Sequence, residues 1–323
     1  MRKTIISLLL LLAALPSLGA QYMREITVAA DGSGDFKSIT QALEAIRAYM
    51  DYRVTVNIKN GLYQEKLIIP SWLENVDFIG EDVDKTIIRY NDYAGLDDMG
   101  TFRTFTVRVD GNNMTFKNIT FENTAGRVGQ AVALHTEGSN LKFDNCRFIG
   151  NQDTMFIAGR DSKLEFDNCY VEGTTDFIFG PATAWFENCT IHSKANSYIT
   201  AASTPADSEY GYVFKNCKLT AEPDINKVYL GRPWRPYAST VFIDCEMGGH
   251  ITPAGWDNWR NPENEKTSRY AEYRSTGAGS SPKQRVVWSR QLTDKEASAI
   301  TKDKVLGRQK YGQDLHGHRT AWR

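Results

Sequence analysis

The sequence lacks most of the features that would signal a metal, a thiol or a serine as its reactive centre. Five cysteines occur in 323 residues, and no two form a C-x-x-C pair. The five histidines (135, 192, 250, 316 and 318) show no zinc spacing, and His316 and His318 stand in a polar tail that reads as solvated. No metal centre is expected. A G-x-S-x-G elbow is absent, so a serine esterase is unsupported. There is no basic run and no nucleic-acid motif, and the formal charge is only −1. After the first twenty residues no apolar stretch is long enough to span a bilayer. Regular leucines are missing, which argues against a leucine-rich repeat, and there is little 3.6-residue periodicity to support helical repeats.

The first twenty residues differ from the rest. Arg2 and Lys3 precede an apolar run from Ile5 to Leu15 that ends in Pro16-Ser17-Leu18-Gly19-Ala20. This reads as a bacterial-type secretory signal over 1–20, followed by one domain over 21–323, exported to the periplasm or the medium. Without Arg2 and Lys3 the balance is 36 basic against 39 acidic residues, or −3. An anionic ligand would therefore have to be held by local cations. Nothing marks an oligomerisation surface, so a monomer is expected.

What the sequence does contain is a repeat. FDNC occurs at 143–146 and 166–169, FENC at 186–189, FKNC at 214–217 and FIDC at 242–245, which accounts for every cysteine. A sixth copy, FKNI at 116–119, carries Ile119 in place of cysteine. The steps are 27, 23, 20, 28 and 28 residues, and the flanking pieces (LKFDNCRFI, KLEFDNCYV, AWFENCTI) are short and β-rich. Self-similarity at this period points to a solenoid with one coil of a parallel β-helix per repeat. In that fold Phe packs inward, Asn takes the left-handed backbone of a sharp corner and ladders with the next Asn, and Cys stacks as a small apolar residue. Buried, reduced cysteines are expected, although coils about 4.8 Å apart do not exclude an occasional disulfide.

Solenoid ends need covering. SITQALEAIRAYM at 38–50 has a capping box in Ser38 and Gln41 and an apolar stripe of Ile39, Leu43, Ile46 and Met50, which predicts an N-terminal capping helix. TDKEASAI at 293–300 has a second box, Thr293 with Glu296, and 253–285 reads as long loops.

The cysteines also serve as a ruler. Asp153 lies seven residues after Cys146, and Asp176 seven after Cys169. Counted backwards, Gln130 lies 16 before Cys146 and Asp153 lies 16 before Cys169. Gln130, Asp153 and Asp176 are thus expected in one column over three coils. Asp176 and Arg232 both lie 13 residues before a cysteine, Cys189 and Cys245, which brings an arginine near that column two coils on. Two stacked carboxylates do not both ionise readily. One should hold its proton, and the one nearer Arg232 should stay anionic. Such a pair describes an acid and a nucleophile, and it also describes a retaining glycosidase. The amides of Gln130 and Gln152 suit a developing oxyanion and favour attack on an ester. Phe177 and Phe179 flank Asp176 in alternation and read as core.

With QAVAL (130–134), QDT (152–154), DFIFG (176–180) and GRPW (231–234) in this order, the chain resembles carbohydrate esterases of the pectin methylesterase family, over about 25–310. The resemblance implies an all-β fold, a single-stranded right-handed parallel β-helix with an N-terminal capping helix and C-terminal loops and helix. It implies hydrolysis of galacturonate methyl esters in pectin, releasing methanol, with no cofactor or metal. It also assigns roles: Asp176 as nucleophile, Asp153 as general acid and then base, Gln130 and Gln152 as oxyanion donors, and Arg232 as partner of Asp176. Trp234 and Trp256 (in PAGW) are implied as sugar-stacking faces. His135 stands where the family usually has Arg, and Met155 where it usually has Leu, so both are candidates for reading neighbouring sugars. The alternative is another β-helix pectin-active enzyme, a glycoside hydrolase or a lyase. Against a lyase, no acidic calcium cluster is evident in the sequence.

Overall fold

The computed structural model describes residues 22–307. The export segment expected at 1–20 and the His316/His318 pair lie outside the described residues. Successive coils build three stacked sheets of eleven, seven and eight strands among the described residues, with every strand pairing parallel. One coil shows the logic. Leu141–Asp144 lies in the eleven-stranded sheet, Arg147–Ile149 in the eight-stranded sheet and Met155–Ile157 in the seven-stranded sheet. The chain is a parallel β-helix, and its main apolar core runs as one cluster from Ile26 to Tyr270.

The repeated phrase does what its residue types suggest. Phe78, Phe116, Phe143, Phe166, Phe186, Phe214 and Phe242 stack ring on ring with centroids 4.5–5.0 Å apart, one from each coil. Each such contact contributes on the order of 1 kcal/mol beyond area burial. The corner residues Asn118, Asn145, Asn168, Asn188, Asn216 and Asp244 all have φ between +51° and +55°. Asparagine and aspartate tolerate that region better than other side chains. Their amides ladder only in part: Asn145 Nδ2 donates to Asn118 Oδ1 at 2.8 Å, whereas Asn168 Nδ2 turns to Asp144 Oδ1 at 3.4 Å. All five cysteines are buried and unbridged. Each thiol lies 3.3–3.5 Å from the carbonyl of the repeat phenylalanine one coil earlier, as Cys146 does with Phe116.

The ends depart from expectation in detail. The N-terminal helix, α1, covers only Ile39–Ala45. Ser38 caps it, but the Gln41 side chain accepts from Lys37 rather than completing the box. The Glu65 carboxylate supplies the missing acceptors, taking Ile39 N and Thr40 N at 2.9 Å each. Ile46 and Met50 are still buried, reached by chain that leaves the helix and turns at Tyr49, whose amide donates to Trp72 O. The stretch 253–285 is not all loop: it holds α2 (Glu263–Thr267) and a strand, Arg269–Tyr273, that extends the eleven-stranded sheet. That strand's burial of Tyr270, Ala271 and Glu272 in succession hides it from an alternation test. At the C-terminal side, α3 (Asp294–Ala299) carries the expected Thr293/Glu296 box. The following α4 (Lys302–Leu306) does not plug the solenoid end. It lies along the outside of the eleven-stranded sheet, with Val305 and Leu306 in a cluster with Trp185 and Val213, and Lys302 Nζ 2.8 Å from Glu187. Among the described residues no helix is long and apolar enough to cross a membrane.

Candidate active site

The outer face of the seven-stranded sheet carries a cleft of about 230 Å³. Gln130, Gln152, Asp153, Asp176, Phe179, Arg232, Trp234 and Trp259 line it, with Thr101 and Phe102 from a loop at one side. Each strand of this sheet belongs to a different coil, so the polar groups arrive from successive turns of the solenoid.

Asp153 and Asp176 stand in register. Met155 pairs with Ile178, a step of 23, and the same step links Asp153 to Asp176. Their backbones sit one coil spacing apart, about 4.8 Å. Gln130 falls one place from its expected column: it bridges Gln152, not Asp153. The step is 22 at Gln130–Gln152, 21 at Leu134–Met155 and 23 at Leu141–Leu164. Ala133 N and Leu134 N both donate to Thr154 O, so the extra residue is absorbed as a bulge. The cysteine ruler holds where neighbouring coils have equal segments and slips where a bulge intervenes. Gln130 reaches the cleft all the same.

Gln152 and Asp153 are neighbours that both face the cleft, which a flat strand forbids. The backbone bends at Asp153 itself, φ +65°, and Asp176 repeats this at φ +50°. Left-handed backbone at a residue with a side chain costs on the order of 1 kcal/mol or more, and it is placed here at both carboxylates. The bend also re-phases the following strand. Phe177 and Ile178 both enter the main core, while Phe179 turns outward to the cleft. Phe179 is buried, as expected of a core residue, but in a separate apolar cluster on the cleft side. It stacks on Phe156 at 4.6 Å, with Trp234 edge-on at 5.8 Å.

Arg232 is anchored by Gly231, which pairs with Thr200 so closely that a Cβ there would lie 2.1 Å from Thr200 Oγ1. Arg232 itself stands level with Ala201 and Phe179, three residues past the aspartate column. Its side chain reaches back and grips Asp176 with two parallel bonds, Nε to Oδ1 at 2.9 Å and Nη2 to Oδ2 at 2.6 Å. The two carboxyls therefore have unlike surroundings. Burial, and then the negative charge of Asp176, push Asp153 up to about 8. Burial also pushes Asp176 upward, but the Arg232 hydrogen bonds and charge work directly against it. A fork-on-carboxylate pair favours the ionised form of Asp176. The site thus sets a carboxyl that favours keeping its proton beside one bound by an arginine fork, flanked by two amides.

Three of the residues expected to touch substrate do not reach the cleft. Trp256 is 1% exposed, stacked on Tyr270 at 4.2 Å in the core. Met155 is fully buried, because the strand's outward position belongs to Phe156. His135 is 2% exposed, covered by the Phe156 and Phe105 rings, with Nε2 3.0 Å from Glu137 Oε1. Trp234 does line the cleft. Sequence reasoning missed Trp259 and Phe102. Trp259 lies three residues beyond Trp256, and only the loop's path distinguishes them. Phe102 sits on a loop held in place by Asn123, whose Nδ2 donates to the carbonyls of Asp92, Thr104 and Val132 at 2.9–3.1 Å. Among the described residues no cluster of three or more His, Cys, Asp or Glu is arranged to hold a metal ion.

Comparisons with known proteins agree with one another. The carrot pectin methylesterase structure superposes with a TM-score of 0.83 at 32% identity, covering 87% of this chain and 92% of that one. A pectin methylesterase solved in complex with a hexasaccharide gives 0.78 at 30% identity, covering 88% and 97%. Pectinesterase 31 of Arabidopsis thaliana is 37% identical over 285 residues, 85% of this chain and 89% of the relative. Other Arabidopsis relatives, named as probable pectinesterase/pectinesterase inhibitors, are longer, and the matches span 51%, 41% and 52% of their length. The Pectinesterase family profile matches residues 25–309, and with the fold and these relatives in agreement, the chain belongs to the pectinesterase family.

Proposed function

We propose that this protein hydrolyses methyl esters of galacturonate residues in pectin, through an aspartyl nucleophile. The observation that carries the reading is the unequal carboxyl pair: Asp176 bound by Arg232, and Asp153 pushed up to about 8 beside it. Asp176 attacks the ester carbonyl carbon. The carbonyl oxygen takes the negative charge and accepts from the amides of Gln130 and Gln152. When the tetrahedral intermediate collapses, the bond to the methoxy oxygen breaks and the Asp153 proton goes to that oxygen, so methanol leaves. An anhydride joins Asp176 to the galacturonate. Asp153, now a carboxylate, takes a proton from water, whose oxygen attacks the galacturonyl carbon. Breaking the bond to Asp176 gives the galacturonic acid, which releases its proton to solvent and departs as the carboxylate, and Asp176 and protonated Asp153 are restored.

Arg232 holds Asp176 ionised and aimed. Trp234 offers a ring to a sugar face, and Trp259 occupies the place expected of Trp256. We place the reaction outside the cytoplasm on the strength of residues 1–20, and with a single chain sufficient for it.

The test is incubation with highly methylated pectin, measuring methanol, acid and chain length. Methanol and acid in equal amounts with chain length preserved supports the esterase. Chain scission or unsaturated ends without methanol would replace it with a glycoside hydrolase or lyase reading.

A further inference from the structure

The grip of Arg232 on Asp176 is itself held from two sides. The guanidinium carbon lies 3.9 Å from the centroid of the Tyr198 ring and 3.7 Å from that of the Trp259 ring. Both are well inside the range of a cation–π contact, and a flat guanidinium stacks on such rings as an ammonium cannot. Tyr198 occupies the aspartate column one coil on, since Ile178 pairs with Thr200 and the same step of 22 links Asp176 to Tyr198. The arginine side chain starts three residues past that column, so it must cross the Tyr198 ring to reach Asp176.

Each ring has its own support. Tyr198 stacks on Tyr229 at 5.3 Å, in register on the next coil. Trp259 has φ +58° and Arg260 φ +56°, two successive left-handed residues. The Asp257 carboxylate holds this turn by accepting from Trp259 N at 2.7 Å. Asn264 Nδ2 donates to Asn258 O at 3.0 Å, and Asn258 Nδ2 donates to Glu265 at 2.7 Å, tying the loop to α2. Backbone that aromatic and arginine side chains rarely adopt is thus fixed where it lays an indole over the arginine.

We propose that Tyr198 and Trp259 are positioning residues that clamp the Arg232 guanidinium between two rings, so that its fork stays coplanar with the Asp176 carboxylate through the reaction. The proposal rests on Asp176 being the nucleophile. Free guanidinium rotation would let Arg232 swing into the cleft once Asp176 loses charge to the anhydride. The clamp returns it to the same place at each turnover. Tyr198 acts through Arg232 and is not among the cleft-lining residues, so its removal should affect kcat and not KM.

The experiment compares wild type with Tyr198→Leu, Tyr198→Phe, Tyr229→Leu and Asp176→Asn on methylated oligogalacturonides, with full pH profiles. Tyr198→Leu is expected to lower kcat about tenfold at unchanged KM. It should also move the acid limb of the profile upward by about half a pH unit or more, because a loosened Arg232 no longer holds Asp176 ionised. Tyr198→Phe keeps a ring and should restore both. Tyr229→Leu removes the same tyrosine pair but leaves the Tyr198 ring over Arg232, so it should move the acid limb by less than Tyr198→Leu does. If Tyr198→Leu does not fold, Trp259→Leu carries the pH-profile test. Wild-type kcat and acid limb in Tyr198→Leu, with Asp176→Asn inactive, overturns the clamp alone. Near-normal turnover by Asp176→Asn overturns the nucleophile, and the clamp with it.

Discussion

Replacing Asp153 by asparagine should stabilise the fold, and increasingly so as pH rises. The side chain is almost fully buried, and its carboxyl is raised from 3.8 to about 8. Between those values the unfolded chain has lost the Asp153 proton and the folded chain has kept it. Folding stability therefore falls as pH rises through that window, by 2.303RT or about 1.4 kcal/mol per pH unit. About four units separate the two values, so the full loss approaches about 6 kcal/mol at pH 8 and above, an order-of-magnitude ceiling. Asparagine has the same shape and no proton to lose. It also tolerates the φ of +65° at this position, so the backbone is not penalised. Asp176 remains in both proteins and its own contribution largely cancels in the difference. Urea unfolding of wild type and Asp153→Asn at pH 4, 6 and 8 measures the effect. Near-equal stabilities are expected at pH 4, and a widening advantage for the variant above it, while its esterase activity is lost. A stability difference that stays constant from pH 4 to 8 would refute the reasoning, because Asp153 would then hold no proton that the unfolded chain lacks.

The same carboxyl predicts an alkaline limb in kcat/KM centred near pH 8, with about a tenfold loss by pH 9, as Asp153 gives up the proton needed by methanol. A profile flat through pH 9.5 would refute it. Trp234→Ala should raise KM with a smaller effect on thermal stability, whereas Trp256→Ala should cost about 3–5 kcal/mol of stability and leave KM unchanged. Chemical denaturation and oligogalacturonide kinetics on both variants separate a cleft ring from a core ring. Phe166→Ala interrupts the phenylalanine stack between Phe143 and Phe186 and should cost about 3–5 kcal/mol, read as a shifted urea midpoint.

The fold was legible because a solenoid writes its period into the sequence. Phe, Asn and Cys each answer a local demand that recurs every coil, so the pattern survives without long-range information. The pairing of Asp153 with Asp176 was legible for the same reason. What escaped were features set between coils. The bulge at Ala133–Leu134 shifted Gln130 by one, and the left-handed bend at Asp176 re-phased Phe177 and Phe179. Neither leaves a distinctive residue, since Asp is common at turns. Trp256 and Trp259 are alike by composition, and the loop that buries one and exposes the other is fixed by Asp257, Asn258 and Asn264 together. Helix length at 38–50 failed only at its far end: Ser38 caps the start as expected, but the chain leaves the helix after Ala45 and turns to the contact of Tyr49 with Trp72, a partner distant in sequence.

The unequal coil lengths have a consequence for how such a protein can change. Coils of 20 to 28 residues stack at one common spacing, so surplus residues leave as loops and never enter the rise between strands. The reacting groups are spaced by the backbone ladder, and the walls around them by those loops. Insertions can therefore lengthen or reshape the walls while the distance between Asp153 and Asp176 stays fixed. Chemistry and selectivity are therefore largely separable along the chain, and an engineer can graft new walls without retuning the reaction centre provided the loop that lays Trp259 over Arg232 is kept.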